Sequence, residues 1–140
     1  MNGHTFPYVL RIATVEDSPI VADRLQTMLC DLEYIEFAGN ATNISDALRL
    51  VRDEKPGVVI LDIHLKENAP NNSGMDLLAD LRHTYPGMVL IMLTNLSSHQ
   101  YRSKCLKLGA NYFFDKTNDF EKVPEILSNL LTTRELKNEA

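Results

Sequence analysis

The chain has 140 residues, of which 44% are hydrophobic and 24% charged. A chain near this length buries roughly 68–70% of its unfolded surface, so a single domain with its own core is expected and no disulfide staples are needed. Fourteen Lys and Arg against nineteen Asp and Glu leave a net charge of −5, which disfavours direct binding to nucleic acid phosphates. No apolar run approaches the ~20 residues of a membrane span. The N-terminal stretch before Tyr8 reads as a flexible tail without the basic and apolar regions of a signal peptide. Cys30 and Cys105 lie far apart, form no CxxC and pair with no histidine at zinc spacing. They read as core or helix residues of a reduced, cytoplasmic protein.

Strand and helix signals alternate along the chain. Tyr8–Val15 is rich in β-branched and aromatic residues and predicts a strand. Ser18 and Pro19 then open a helix as cap and first residue. Its buried stripe is Val21, Leu25, Met28, Leu29 and Leu32. Tyr34–Ala41 is a second strand with a less clear period. Asn43 caps a helix bearing Ile44, Leu48 and Val51 on one face, stopped at Lys55-Pro56-Gly57. Val58–Leu61 is a continuous apolar run, as in a strand buried on both faces of a parallel sheet. A polar loop rich in turn formers runs from Lys66 to Gly74.

Leu77, Leu78, Leu81 and Tyr85 mark the next helix, and Pro86-Gly87 stops it. Met88–Leu93 is a fourth strand. Tyr101, Cys105 and Leu108 give a helix ended by Gly109, and Tyr112–Phe114 a short fifth strand. The last helix carries Ile126, Leu127, Leu130 and Leu131. Pro124 cannot sit deep inside it, so its regular part is predicted from near Pro124, with 118–123 as a turn. The polar tail after Thr133 is predicted to fray. Five strands alternating with five helices predict a mostly parallel α/β sheet with right-handed crossovers.

Ligands of open α/β sheets bind outside the carboxyl ends of the strands. Here those ends are polar: Glu16 and Asp17 follow the first strand, Asp62 the third, Thr94 the fourth and Lys116 the fifth. Carboxylates gathered at one edge repel, which favours either a proton or a hard divalent cation. Magnesium suits such a set, because it takes one or two carboxylates, keeps waters and tolerates a phosphate ligand. Lys116 then offers a point charge to a phosphoryl oxygen and Thr94 a hydroxyl donor. A carboxylate beside them is a plausible nucleophile toward phosphorus.

These pieces carry a resemblance. Val15-Glu16-Asp17-Ser18, Val58-Val59-Ile60-Leu61-Asp62, Leu93-Thr94 and Phe113-Phe114-Asp115-Lys116 stand in order, each at its own strand. The chain resembles the receiver domain of two-component response regulators from about Tyr8 to Leu131. The resemblance implies a single flavodoxin-like (βα)5 domain over residues 8–132, strand order 2-1-3-4-5, with a polar tail at 133–140. It implies that Asp62 is the phospho-acceptor and that Asp17, Asp62 and the backbone carbonyl of His64 hold Mg2+, with Glu16 acting through water. It further implies that Thr94 and Lys116 meet the phosphoryl group and that Thr94 and Phe113 switch together. The implied partners are a histidine kinase or histidine phosphotransfer protein and a downstream target or output domain. That target is addressed through the fourth helix, fifth strand and fifth helix, with no direct nucleic acid contact by this domain and no membrane.

Departures from the family pattern are also legible. The loop between Asp62 and Gly74 is longer than usual. Thr117 stands where the family has proline, so the turn after Lys116 must be built otherwise. A non-proline cis bond costs ~2.5–4 kcal/mol, so a trans bond is expected there. Asn95 is larger than the small residue common at that place, and Phe113 lacks the hydroxyl of a tyrosine.

Two other functions compete. A haloacid-dehalogenase-like phosphatase also uses an aspartyl-phosphate, but it needs a second acid two residues on, where this chain has His64, and usually a cap. A pseudo-receiver acting only through its surface is the other. No GxGxxG or GxxxxGKS supports a nucleotide site.

Overall fold

The computed structural model describes residues 9–65 and 73–139. Its elements, in chain order, begin with β1 (Leu10–Val15), α1 (Pro19–Cys30), β2 (Ile35–Ala41), α2 (Ile44–Glu54) and β3 (Val58–Leu61). They continue with α3 (Ser73–Thr84), β4 (Val89–Thr94), α4 (His99–Leu108), β5 (Tyr112–Asp115) and α5 (Val123–Glu139). All five strands are parallel, in the order β2-β1-β3-β4-β5, as expected.

The alternation of side chains along each strand divides the core in two. Ala13, Val15, Val59, Leu61, Leu90, Met92 and Phe113 face Ala47, Val51, Leu77, Leu78, Leu81 and Cys105 of α2, α3 and α4. Leu10, Ile12, Val58, Ile60, Ile91 and Leu93 face Leu25, Leu29, Val123, Leu127 and Leu131 of α1 and α5. Fully burying a side chain of this size contributes about 1.5–3 kcal/mol, so both layers are needed to hold the sheet between them.

Side-chain caps set the helix starts, at Ser18 and Asn43 as the sequence predicts and at Ser98 without such a prediction. Ser18 Oγ accepts from the Val21 N–H, with Pro19 as the first helical residue. Asn43 Oδ1 accepts from the Asp46 N–H, and Ser98 Oγ from the Tyr101 N–H. α2 ends with Lys55 itself in the left-handed region, at φ 50. The weak period of β2 has a visible cause. Its register against β1 slips by one residue between Ile12 and Ala13, opposite Gly39 at φ 139. A bulge of this kind breaks strict alternation.

Three expectations need adjustment. β1 starts at Leu10, and Tyr8, like the tail before it, lies outside the described residues. The stretch predicted as a turn before Pro124 contains a 3-10 turn, Phe120–Lys122, pinned by the buried Phe120 ring, and α5 begins at Val123. Pro124 is the second residue of α5, where a missing N–H forfeits no helical bond. The helical assignment of α5 runs to Glu139, past Thr133. Of the loop predicted from Lys66 to Gly74, residues 66–72 lie outside the described residues, and Ser73 and Gly74 are the first residues of α3. No cis peptide bond occurs among the described residues. Among them, too, no helix is long and apolar enough to cross a membrane.

Candidate functional site

The carboxyl ends of β1, β3, β4 and β5 surround a cavity of about 440 Å³. Glu16, Asp17, Asp62, His64, Thr94 and Lys116 all line it, with Ser18, Val21, Asn95 and Leu96. Backbone bonds carry the sheet past its last residues and aim these side chains. The Glu16 N–H donates to the Ala41 carbonyl at 2.9 Å and the Asp62 N–H to the Val15 carbonyl at 3.2 Å. The Lys116 N–H donates to the Thr94 carbonyl at 3.0 Å.

Lys116 Nζ lies 2.7 Å from Asp62 Oδ2 and 2.7 Å from Glu16 Oε1. The other Glu16 oxygen accepts from the Ser18 N–H at 3.0 Å. Glu16, at 2% exposure, and Asp62, at 6%, are buried acids. Burial pushes the Glu16 carboxyl above its ordinary value; bonds from Lys116 and Ser18 oppose this, and repulsion from Asp62 adds least. The repulsion expected from the sequence is therefore present but secondary to desolvation. Burial works against the charged form of Lys116 as well. Its bonds to Asp62 and Glu16 and their charges outweigh that effect, so its value stands above the ordinary lysine range and the ammonium is retained.

Asp17 is half-buried at the cavity wall, and the His64 side chain is exposed. The His64 N–H lies 3.4 Å from Asp62 Oδ1. Thr94 is fully buried, and its hydroxyl accepts from the Leu96 N–H at 3.1 Å. Phe113 does not line the cavity. It is buried in the layer beneath α4, with the Arg102 guanidinium 5.8 Å from its ring centre and donating to its carbonyl at 3.1 Å.

Among the described residues, no three His, Cys, Asp or Glu side chains close on one point as a complete metal cage. The donor set is nevertheless hard oxygen, as Mg2+ requires, and that ion needs only one or two carboxylates beside water. The residues present therefore fit Mg2+.

Three residues at this edge carry roles that the sequence reading did not assign. Asn40 accepts from the Thr14 hydroxyl at 2.7 Å and donates to the Glu16 carbonyl at 3.1 Å, bracing the end of β1. Gly74 packs on the backbone that follows β3, where an added Cβ would stand 1.8 Å from the Asp62 carbonyl oxygen. Asp115 bonds Ser97 and the turn after Lys116. Its signal was available in the sequence: an aspartate before a turn that lacks proline invites a side-chain-capped turn.

A five-stranded parallel sheet in this order, with helices on both faces, is the flavodoxin-like α/β fold, and its ligand edge is the one described. The chain belongs to the response regulator receiver domain family, whose family model matches residues 12–128. It is therefore a receiver domain of two-component signalling. It is 33% identical over 115 residues to a protein-glutamate methylesterase/protein-glutamine glutaminase of Carboxydothermus hydrogenoformans, covering 81% of this chain and 32% of that protein. It is 32% identical over 101 residues to the transcriptional regulatory protein MctR of Rhizobium johnstonii, covering 72% of this chain and 45% of that one. The BeF3-activated N-terminal receiver domain of RstA from Klebsiella pneumoniae superposes with a TM-score of 0.75 at 29% identity, covering 86% of this chain and 97% of that domain. The chain spans about a third to a half of the length of these two curated relatives.

Proposed function

We propose that this receiver is a phosphorylation-dependent switch whose acceptor is Asp62 and whose donor is a phosphohistidine on a histidine kinase or phosphotransfer protein. The observation that carries the reading is the contact of Lys116 Nζ with Asp62 Oδ2 at 2.7 Å, inside a cavity that also holds Thr94 and Asp17. An Asp62 oxygen attacks phosphorus, the P–N bond breaks, and its electron pair leaves with the donor imidazole. The product is an acyl phosphate on Asp62. Lys116, already within reach of that carboxylate, transfers its bond to a phosphoryl oxygen. Thr94 exchanges its bond with the Leu96 N–H for one donated to the phosphoryl group.

Asp17, Asp62 and the His64 backbone carbonyl would hold Mg2+, and Glu16 would act through water. When bound, that ion neutralises charge on the transferring phosphoryl oxygens. Movement of Thr94 changes the packing beneath α4, where Phe113 and Arg102 meet, and biases the α4–β5–α5 face toward a partner or output domain. The chain acts as a switch rather than as an enzyme on a separate substrate. We expect this domain, with its net charge of −5, to make no direct nucleic acid contact and to work in the cytoplasm.

The test is incubation with Mg2+ and acetyl phosphate, followed by intact mass for wild type and Asp62→Asn. A single phosphoryl adduct on wild type alone supports the reading. No adduct on folded wild type would point to a pseudo-receiver that works through its surface.

A further inference from the structure

We propose that Asp115 is a positioning residue for this phosphoryl transfer, fixing Lys116 and the loop after Thr94 in one bonded unit; the inference rests on the switch reading above. Asp115 is the last residue of β5 and pairs in register with Thr94, the last residue of β4. Its two carboxylate oxygens face different segments. Oδ2 accepts from the Ser97 hydroxyl at 2.7 Å, in the run that leads from Thr94 to the Ser98 cap of α4. Oδ1 accepts from the Thr117 N–H at 2.7 Å and lies 3.4 Å from the Asn118 N–H, in the turn that follows Lys116.

The backbone closes the unit. The Asp115 N–H donates to Asp119 Oδ2 at 3.0 Å, and the Asp119 N–H donates back to the Asp115 carbonyl at 2.8 Å. The Lys116 N–H donates to the Thr94 carbonyl. Lys116 is thus held from both sides of its own Cα, and its neighbours are tied to the loop bearing Thr94.

The need for such a device follows from the lysine itself. An ammonium on a flexible four-carbon stem is placed well only if its Cα is fixed. Lys116 Nζ must reach Glu16 and Asp62 beyond the ends of two other strands at once. Here a carboxylate caps the turn that follows it, as Asp commonly does with backbone N–H groups two residues on. The same carboxylate has a second oxygen left to reach across to Ser97, which a capping hydroxyl lacks. The bonds from Ser97 and Thr117 also hold the Asp115 carboxyl below its ordinary value, so it accepts as an anion at neutral pH.

The experiment measures the rate of labelling by acetyl phosphate with Mg2+ for wild type, Asp115→Ala, Asp115→Asn, Ser97→Ala, Lys116→Ala, the double variant Asp115→Ala with Lys116→Ala, and Asp62→Asn. Misplacement of a positioned group commonly reduces rate by one to two orders of magnitude, so Asp115→Ala should label about tenfold more slowly. Asp115→Asn keeps an acceptor oxygen for the turn and should recover most of that loss, while Ser97→Ala, which cuts only one arm, should slow labelling about threefold. If Asp115 acts through Lys116, the two losses are not additive, and Asp115→Ala should cost less than about twofold in the Lys116→Ala background. Hydrogen exchange supplies a readout independent of labelling. The Thr117 amide should exchange faster in Asp115→Ala and as in wild type in Ser97→Ala.

Wild-type labelling rates in both Asp115→Ala and Ser97→Ala would overturn the inference and leave the switch reading standing. Fully multiplicative losses with Lys116→Ala would also overturn it. If wild type takes no phosphoryl group, or Asp62→Asn takes as much, both readings fall together. Should Asp115→Ala not fold, Asp115→Asn and Ser97→Ala decide the matter, and an unchanged Ser97→Ala rate would sink the proposal.

Discussion

Lys116 Nζ lies 2.7 Å from Asp62 Oδ2, which ties the end of β5 to the end of β3 across the intervening β4. The same ammonium meets Glu16, just past β1, so one cation compensates two buried acids. Removing one partner of a buried ion pair leaves a desolvated charge and costs about 3–5 kcal/mol. Lys116 retains 11% side-chain exposure, so Lys116→Met is expected at the low end, about 3 kcal/mol by urea unfolding. Glu16→Gln combined with Lys116→Met should be more stable than Lys116→Met alone, because it removes the orphaned charge. Equal stability of the two would mean that Glu16 is not the acid that needs the lysine.

Gly74 sits where no side chain fits. A Cβ there would stand 1.8 Å from the Asp62 carbonyl oxygen and 2.7 Å from Ile63 Cα, and both obstacles are backbone. The Gly74 N–H donates to the Ile63 carbonyl at 2.7 Å, which fastens the start of α3 to the segment after β3. Overpacking typically costs about 1–3 kcal/mol, and with backbone on both sides Gly74→Ala should reach the top of that range. It should also displace Asp62. The expected result is a lower unfolding midpoint together with slowed labelling by acetyl phosphate. A variant that folds and labels like wild type would refute this packing.

Arg82 organises the opposite edge of the sheet. Its guanidinium donates to the carbonyls of Gly109, Pro86 and Met88 at 2.8–3.0 Å and to Asn111 Oδ1 at 2.7 Å. Asn111 Oδ1 in turn accepts from the Leu90 N–H at 2.8 Å. Hydrogen bonds from a charged donor contribute about 1.5–3 kcal/mol each when broken singly, so Arg82→Ala should cost about 2–4 kcal/mol in all, since water replaces several of them. Arg82→Lys should recover less than half. A single ammonium cannot span acceptors this far apart, whereas a planar fork does. Recovery of full stability by lysine, in denaturant titration, would count against the bonded network.

Two carboxylates, one at the end of β5 and one in the turn after it, set an acid limb of stability. Asp115 is held below its ordinary value by bonds from Ser97 and the Thr117 N–H, and Asp119 by bonds from the Asp115 N–H and Lys122. A carboxyl with a depressed folded value contributes stability that is complete above the unfolded value of about 3.9. That contribution is lost as pH falls through the folded value. Thermal midpoints of wild type should therefore fall in acid below about pH 4. Asp115→Asn, which cannot titrate, should show a shallower fall, and an unchanged acid limb would remove Asp115 from this account.

Much of this protein was legible in its sequence because the deciding signals are local. Ser18-Pro19 and Asn43 cap their helices through bonds that span three residues. Val58–Leu61 reads as a two-face-buried strand because alternate residues enter different halves of the core. Polar residues at four strand ends were enough to expect one site, since parallel strands deliver their carboxyl ends to one edge. The bulge at Gly39 and the 3-10 turn at Phe120–Lys122 were less legible. Each depends on what the neighbouring strand or layer requires, and composition does not record that.

The sequence by itself determined the order of the elements, the position of the site and the residue types that line it. Only the tertiary structure decided that Lys116 bridges Glu16 and Asp62, that Gly74 lies against the Asp62 backbone, and that Asp115 reaches Ser97. Those partners are between 12 and 100 positions apart in the chain. Their distances are set by strand order and by the packing of two hydrophobic layers, and a linear spacing carries no such information.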